Sequence, residues 1–102
     1  MRNEKHSILW NDYVIFRVEK RGLSFAIIEE ILRYSSERYF DVSTHRMIAV
    51  GRHEDRIVMI PYEIKDDAIV PVTVHATTRQ QIKFRLKTGR YEYEKTQNDI
   101  FQ

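Results

Sequence analysis

The chain has 102 residues, of which 42% are hydrophobic and 31% charged, with no cysteine and a formal net charge of +2. That balance describes one globular domain with a modest core, and it excludes a disordered chain, a disulfide scaffold, thiol catalysis and thiolate metal sites. The opening Met1 to Ser7 is polar and no long apolar run follows, so neither a signal peptide nor a membrane-spanning helix is expected, and the cytoplasm is the expected location.

Ile8-Leu9-Trp10 reads as a short strand or as an anchor for the polar residues 1-7. Asn11 and Asp12 offer helix N-caps. The stretch Tyr13 to Arg21 carries two periodicities. Val14 and Val18 fit one helix face, whereas Val14, Phe16 and Val18 alternate as in a strand. The cap before it and Gly22 after it favour a helix. Ser24 caps a second helix running to about Tyr34, with Phe25, Ile28 and Leu32 on one face and Glu29 and Arg33 paired on the other. Four candidate strands follow: Arg38 to Ser43, Met47 to His53, Arg56 to Ile64 and Ala68 to Ala76. The short turns at His53-Glu54-Asp55 and Lys65-Asp66-Asp67 imply hairpins and an antiparallel meander. Ile57 to Ile60 is apolar on both faces, as in a central strand, and Pro61 suggests a bulge or an end to regular pairing. Thr78-Arg79-Gln80-Gln81 has the form of a capping box that opens a last helix, which Gly89 stops. Ile82 and Leu86 are its buried pair, and residues 92-102 read as a flexible tail. The expected fold is α+β: N-terminal helices packed on a four-stranded antiparallel sheet, with a C-terminal helix.

The small net charge hides an uneven distribution. Between His75 and Lys95 there are six bases and only Glu92 and Glu94 as acids. A polyanion would be held at this end. Arg79, Lys83 and Lys87 share one helix face and Arg90 extends it, as a phosphate track or as an ordinary solvated face. His75 stands where the last strand meets that helix, as a general acid or base or as a hydrogen-bonded histidine at an element end. Thr77, Thr78 and Arg79 follow it directly. Arg46 and Arg56 lie on preceding strands, where arginines on one sheet face converge, cap strand ends or pair with nearby acids. Tyr62 stacks on a base or packs as a half-buried sheet tyrosine. His6, His45, His53 and His75 have no metal-ligand spacing, and no glycine-rich phosphate loop occurs, so neither a metal nor a cofactor is expected.

Three segments together carry a family resemblance. Trp10, the helix-like stretch and Arg21-Gly22-Leu23-Ser24-Phe25 resemble the opening of BrnT-type toxins; Arg46 to Gly51 followed by Arg56 resembles their strand pair; and His75-Ala76-Thr77-Thr78-Arg79 resembles the segment that opens their last helix. The resemblance covers most of residues 8 to 91. It implies a RelE-like fold and the toxin component of a type II toxin-antitoxin system, neutralised by a cognate antitoxin. It implies a metal-independent endoribonuclease in which the ribose 2′-hydroxyl attacks the adjacent phosphate. Arg46, Arg56 and Arg79 would stabilise the developing charge and His75 would be the acid or base, with Thr78, Lys83, Lys87 and Arg90 binding RNA. The family usually has arginine at the position of His75. The alternative is a non-catalytic module that docks a partner protein through its basic last helix. Phe84, on the side opposite Ile82 and Leu86, suits such a contact, and a toxin bound as an oligomer with its antitoxin needs one too.

Overall fold

The computed structural model describes residues 6–94. In chain order these form β1 (Ser7–Ile8), α1 (Asp12–Lys20), α2 (Phe25–Tyr34), β2 (Glu37–Asp41), β3 (Arg46–His53), β4 (Arg56–Lys65), β5 (Ala68–Pro71), β6 (His75–Thr77), α3 (Arg79–Lys87) and β7 (Tyr91–Tyr93).

Caps decide the ambiguous first helix. The Asn11 side chain accepts the backbone N–H of Val14 at 2.9 Å. At the other end Gly22 adopts φ 66°, while its N–H and that of Leu23 return to the carbonyls of Glu19 and Val18. That left-handed closure strains any side chain and suits glycine. With both ends fixed, Val14 and Val18 fall one turn apart and are fully buried, whereas Phe16 is exposed. Ser24 then caps α2 through Ile27, and Ile28, Ile31 and Leu32 form its buried face.

The sheet is larger than the expected four strands and is mixed. Among the described residues it has seven strands in the order β1-β5-β4-β3-β2-β7, with β6 paired to β4 off that path. All pairings are antiparallel except β1 with β5. The expected strand over residues 68 to 76 is broken at 72–74. Its first part pairs with the far half of β4 (Tyr62 to Lys65) and its second with the near half (Ile57 to Met59). Pro61 lies at this changeover. Its carbonyl accepts Val72 N–H at 2.8 Å, so its N side faces the break, where no ladder donor is needed. The proline thus sits inside a central strand without a bulge, in register with Ile48. Asp66 and Asp67 both take positive φ, the two-residue turn that matches the twist of a hairpin. Residues 91 to 93 are a paired strand and not the start of a flexible tail. The rest of that expected tail, from residue 95, lies outside the described residues.

Side chains alternate along the strands, so the two faces carry two cores. Ala49, Val58, Ile60 and Tyr62 pack with Val14, Val18, Ile28 and Leu32 beneath α1 and α2. Tyr39, Ile48, Val50 and Met59 pack with Ile82, Leu86 and Tyr91 beneath α3. Gly51 lets α2 approach β3, since a Cβ there would fall 2.5 Å from Ile31 Cγ1. Two buried polar side chains join elements on the first face. His53 Nε2 accepts the Ser24 N–H at 2.8 Å. Arg38 donates to the Ile31 and Leu32 carbonyls, which end α2, and to Tyr62 Oη at 2.9 Å. The negative end of a helix is a favourable place for that buried cation. Tyr62 is only 4% exposed, which removes it as a base-stacking surface.

Candidate anion-binding site

Where α3 crosses the second face, it leaves a cavity of about 410 Å³ between itself, the Arg46 end of β3, the middle of β4 and the 72–77 segment. Among the described residues, Arg46, Arg85 and Arg90 reach its lining, against a single carboxylate, Asp41. His75, Thr73 and Gln81 add polar atoms, and Met59, Pro61 and Val72 supply apolar wall.

The cations differ in how they are held. Arg90 clamps buried Asp41 with two hydrogen bonds, Nε to Oδ1 at 3.2 Å and Nη2 to Oδ2 at 3.1 Å. Burial pushes the Asp41 carboxyl up, but Arg90 and the N–H groups of Ser43 and Thr44 outweigh it, so the group stays below its ordinary range. Arg46 Nε donates to Glu63 Oε2 at 3.0 Å. Among the described residues, no carboxylate is paired with Arg85. Its Nη1 donates to Tyr91 Oη at 3.0 Å and approaches Met59 Sδ at 3.5 Å, and the guanidinium lies over the Tyr91 ring. A half-buried guanidinium without an anionic partner leaves an unbalanced positive potential, which a low-polarity wall concentrates. The Thr73 hydroxyl, in the same lining, is buried and has no hydrogen-bond partner among the described residues. Burial first, then the charges of Arg17, Arg21 and Arg85, hold the His75 imidazole below its ordinary pKa.

The cavity gathers Arg46, His75 and Arg90 of the expected residues and leaves the others outside. Arg56 does not converge with Arg46. Arg46 pairs across the sheet with Glu63, seven residues along β4 from Arg56. An odd separation puts the two arginines on opposite faces, roughly 23 Å apart along the strand. Arg79 donates to Glu37 Oε2 at 2.5 Å, and Tyr39 Oη donates to the same oxygen at 2.6 Å. Glu37 is four residues from Asp41 on β2, so this pair lies roughly 13 Å from the cavity end of the strand. Burial raises the Glu37 carboxyl, but Arg79 and Tyr39 outweigh it and hold it below its usual value. Arg79 therefore staples the start of α3 to β2. Thr78 caps α3 through Gln81 N–H at 3.1 Å and is exposed. Gln81 does not reach back to the cap as a capping box requires; its Oε1 accepts the Thr77 hydroxyl. Lys83 and Lys87 are exposed on the outer side of α3.

Arg85, Arg17 and Thr73 were not expected at the site. The spacing of α3 carries a signal for Arg85, since positions 82, 85 and 86 share the face that meets the sheet. Arg17 belongs to α1, 58 residues from the His75 it touches, and no local pattern points to it. Among the described residues, no group of three or more His, Asp or Glu side chains is placed to hold a metal ion, and no helix is long and apolar enough to cross a membrane. Comparison with known protein families, with curated proteins and with solved structures finds no match to this chain.

Proposed function

We propose that the chain binds RNA by its phosphates in the arginine-lined cavity and cleaves it without a metal, as the toxin of a toxin-antitoxin pair with a RelE-like fold. The observation that carries this reading is the convergence of Arg46, Arg85 and Arg90 on one cavity where, among the described residues, Asp41 is the one carboxylate in the lining and no acid pairs with Arg85. An internal phosphodiester supplies the missing charge. The ribose 2′-oxygen attacks phosphorus, the bond from phosphorus to the 5′-oxygen breaks, and a 2′,3′-cyclic phosphate and a 5′-hydroxyl result. The 2′-hydroxyl proton passes to water and the departing oxygen takes one up. Guanidinium groups already in place for the extra negative charge of the transition state lower the barrier. RNA and a cognate antitoxin are the partners under this reading, and the cytoplasm is the location.

Total RNA incubated with the purified chain in excess EDTA should yield fragments ending in 2′,3′-cyclic phosphate, and the Arg46→Ala and Arg85→Ala variants should yield few. Intact RNA with a folded wild-type sample would reject the ribonuclease. A second reading, a partner-docking module, draws on Phe84, which is 65% exposed on the outer side of α3. It gains the argument if the chain neither binds nor cuts RNA.

A further inference from the structure

Arg17 Nη2 lies 3.0 Å from His75 Nδ1. A guanidinium carries donors only, so Nδ1 must offer a lone pair, and the single proton of the neutral ring belongs on Nε2. Protonating Nδ1 would set two N–H groups against each other. We propose that Arg17 is a positioning residue that fixes His75 as the neutral Nε2–H tautomer, so that His75 gives the cavity's anion a hydrogen bond and does not shuttle protons.

Three observations support this role. His75 is one of the residues that line the cavity, and its Nδ1 is engaged by Arg17, which leaves Nε2 as the ring nitrogen for a ligand. Its charged surroundings come from two directions: Arg17 and Arg21 from α1 and its C-terminal cap, and Arg85 from α3. Asp41, the carboxylate in the same lining, is occupied by Arg90. Burial and like charge thus oppose an imidazolium, in the same sense as the hydrogen bond. A neutral N–H also suits a site already rich in cations, because it adds a directed donor without adding repulsion between them. The second-row position of Arg17 is comparable to the partners that set the tautomer of functional histidines elsewhere.

The part of this inference that concerns the bound anion rests on the RNA-phosphate reading; the tautomer does not. Imidazole ¹⁵N spectra of the full chain near neutral pH should show His75 protonated at Nε2 and bare at Nδ1. Arg17→Lys, which keeps a donor, should preserve that pattern, and Arg17→Met should let the second tautomer appear. An imidazolium or an Nδ1–H ring in the wild type would overturn the proposal, as would an unchanged tautomer in folded Arg17→Met. If Arg17→Met does not fold, the wild-type and Arg17→Lys spectra decide. A chain that cuts no RNA would defeat the proposed function and leave these spectra as they stand. In RNA cleavage, His75→Gln, whose amide N–H can occupy the place of Nε2–H, should stay within about tenfold of wild type, and His75→Ala should fall further. A loss of about 100-fold or more in His75→Gln, the scale of general acid–base catalysis, would overturn the donor role.

Discussion

The two faces of the sheet are made by the same strands and do different work. Under α1 and α2 the packing is close: Val14, Val18, Ile28, Leu32 and Ile60 are wholly buried. Two buried polar side chains there tie elements together, His53 at the start of α2 and Arg38 on its last carbonyls. Under α3 the fully inserted side chains are fewer. Ile82 is the buried residue of that helix, and carboxylates of the sheet tie its ends through Arg79 to Glu37 and Arg90 to Asp41. The helix is therefore tied to the sheet at both ends, and beside the small core beneath it a cationic cavity remains. The larger core lies on one face, and the cationic cavity lies on the other.

The largest effect is expected on the face under α1 and α2. Ile60→Ala should cost about 2–5 kcal/mol, read from urea unfolding, because a fully buried side chain leaves a cavity. Its RNA cleavage per folded molecule should be unchanged. Arg85→Ala should do the reverse: a loss of cleavage on the order of 100-fold, as when one preorganised donor to a transition state is removed, with little change in the unfolding midpoint. If Arg85→Ala unfolded the protein instead, the guanidinium would be a structural support and the distinction between the faces would fail. Gly51→Ala should destabilise by about 1–3 kcal/mol through crowding of Ile31, again without a specific effect on RNA.

Acid acts on the face under α3, which holds His75, Asp41 and Glu37. His75 sits below its ordinary 6.5, so the unfolded chain takes up that proton at a higher pH than the fold does. Its contribution to stability is whole above about pH 6.5 and is lost as the pH falls through the window beneath. Unfolding midpoints should therefore drop between neutral and mildly acidic pH, by less in His75→Gln. Asp41 and Glu37, both held below the usual carboxyl range, add to the loss only at lower pH. An equal drop in His75→Gln would show that His75 is not the group responsible. The smallest effect belongs to the outer surface of α3. Lys83→Ala and Lys87→Ala should each flatten the salt dependence of RNA binding by about one in slope; no change would make them a solvated face.

How much of this could be read in the sequence follows from the range of each cause. The helices were legible because their causes are local: Asn11, Ser24 and Thr78 cap them, and Gly22 ends the first. The hairpin turns were legible from Glu54-Asp55 and Asp66-Asp67. The break in the fourth expected strand was not, since residues 72–74 read as a continuation and only the shared partner β4 shows two separate pairings. The facing of Arg46 and Arg56 was hidden for the same reason: one residue of register reverses a side chain, and register is a property of two strands. Arg85 was within reach from helical spacing, whereas Arg17 meets His75 only after the fold is complete.

The most direct test sets Arg46→Ala beside Arg56→Ala in an assay of RNA cleavage in EDTA, with folding checked for both. The two arginines begin consecutive strands and point to opposite faces. Loss of cleavage in Arg46→Ala with retention in Arg56→Ala is the result expected if the reaction belongs to the cavity under α3. Retention in Arg46→Ala with loss in a folded Arg56→Ala would contradict it and move the site to the other face.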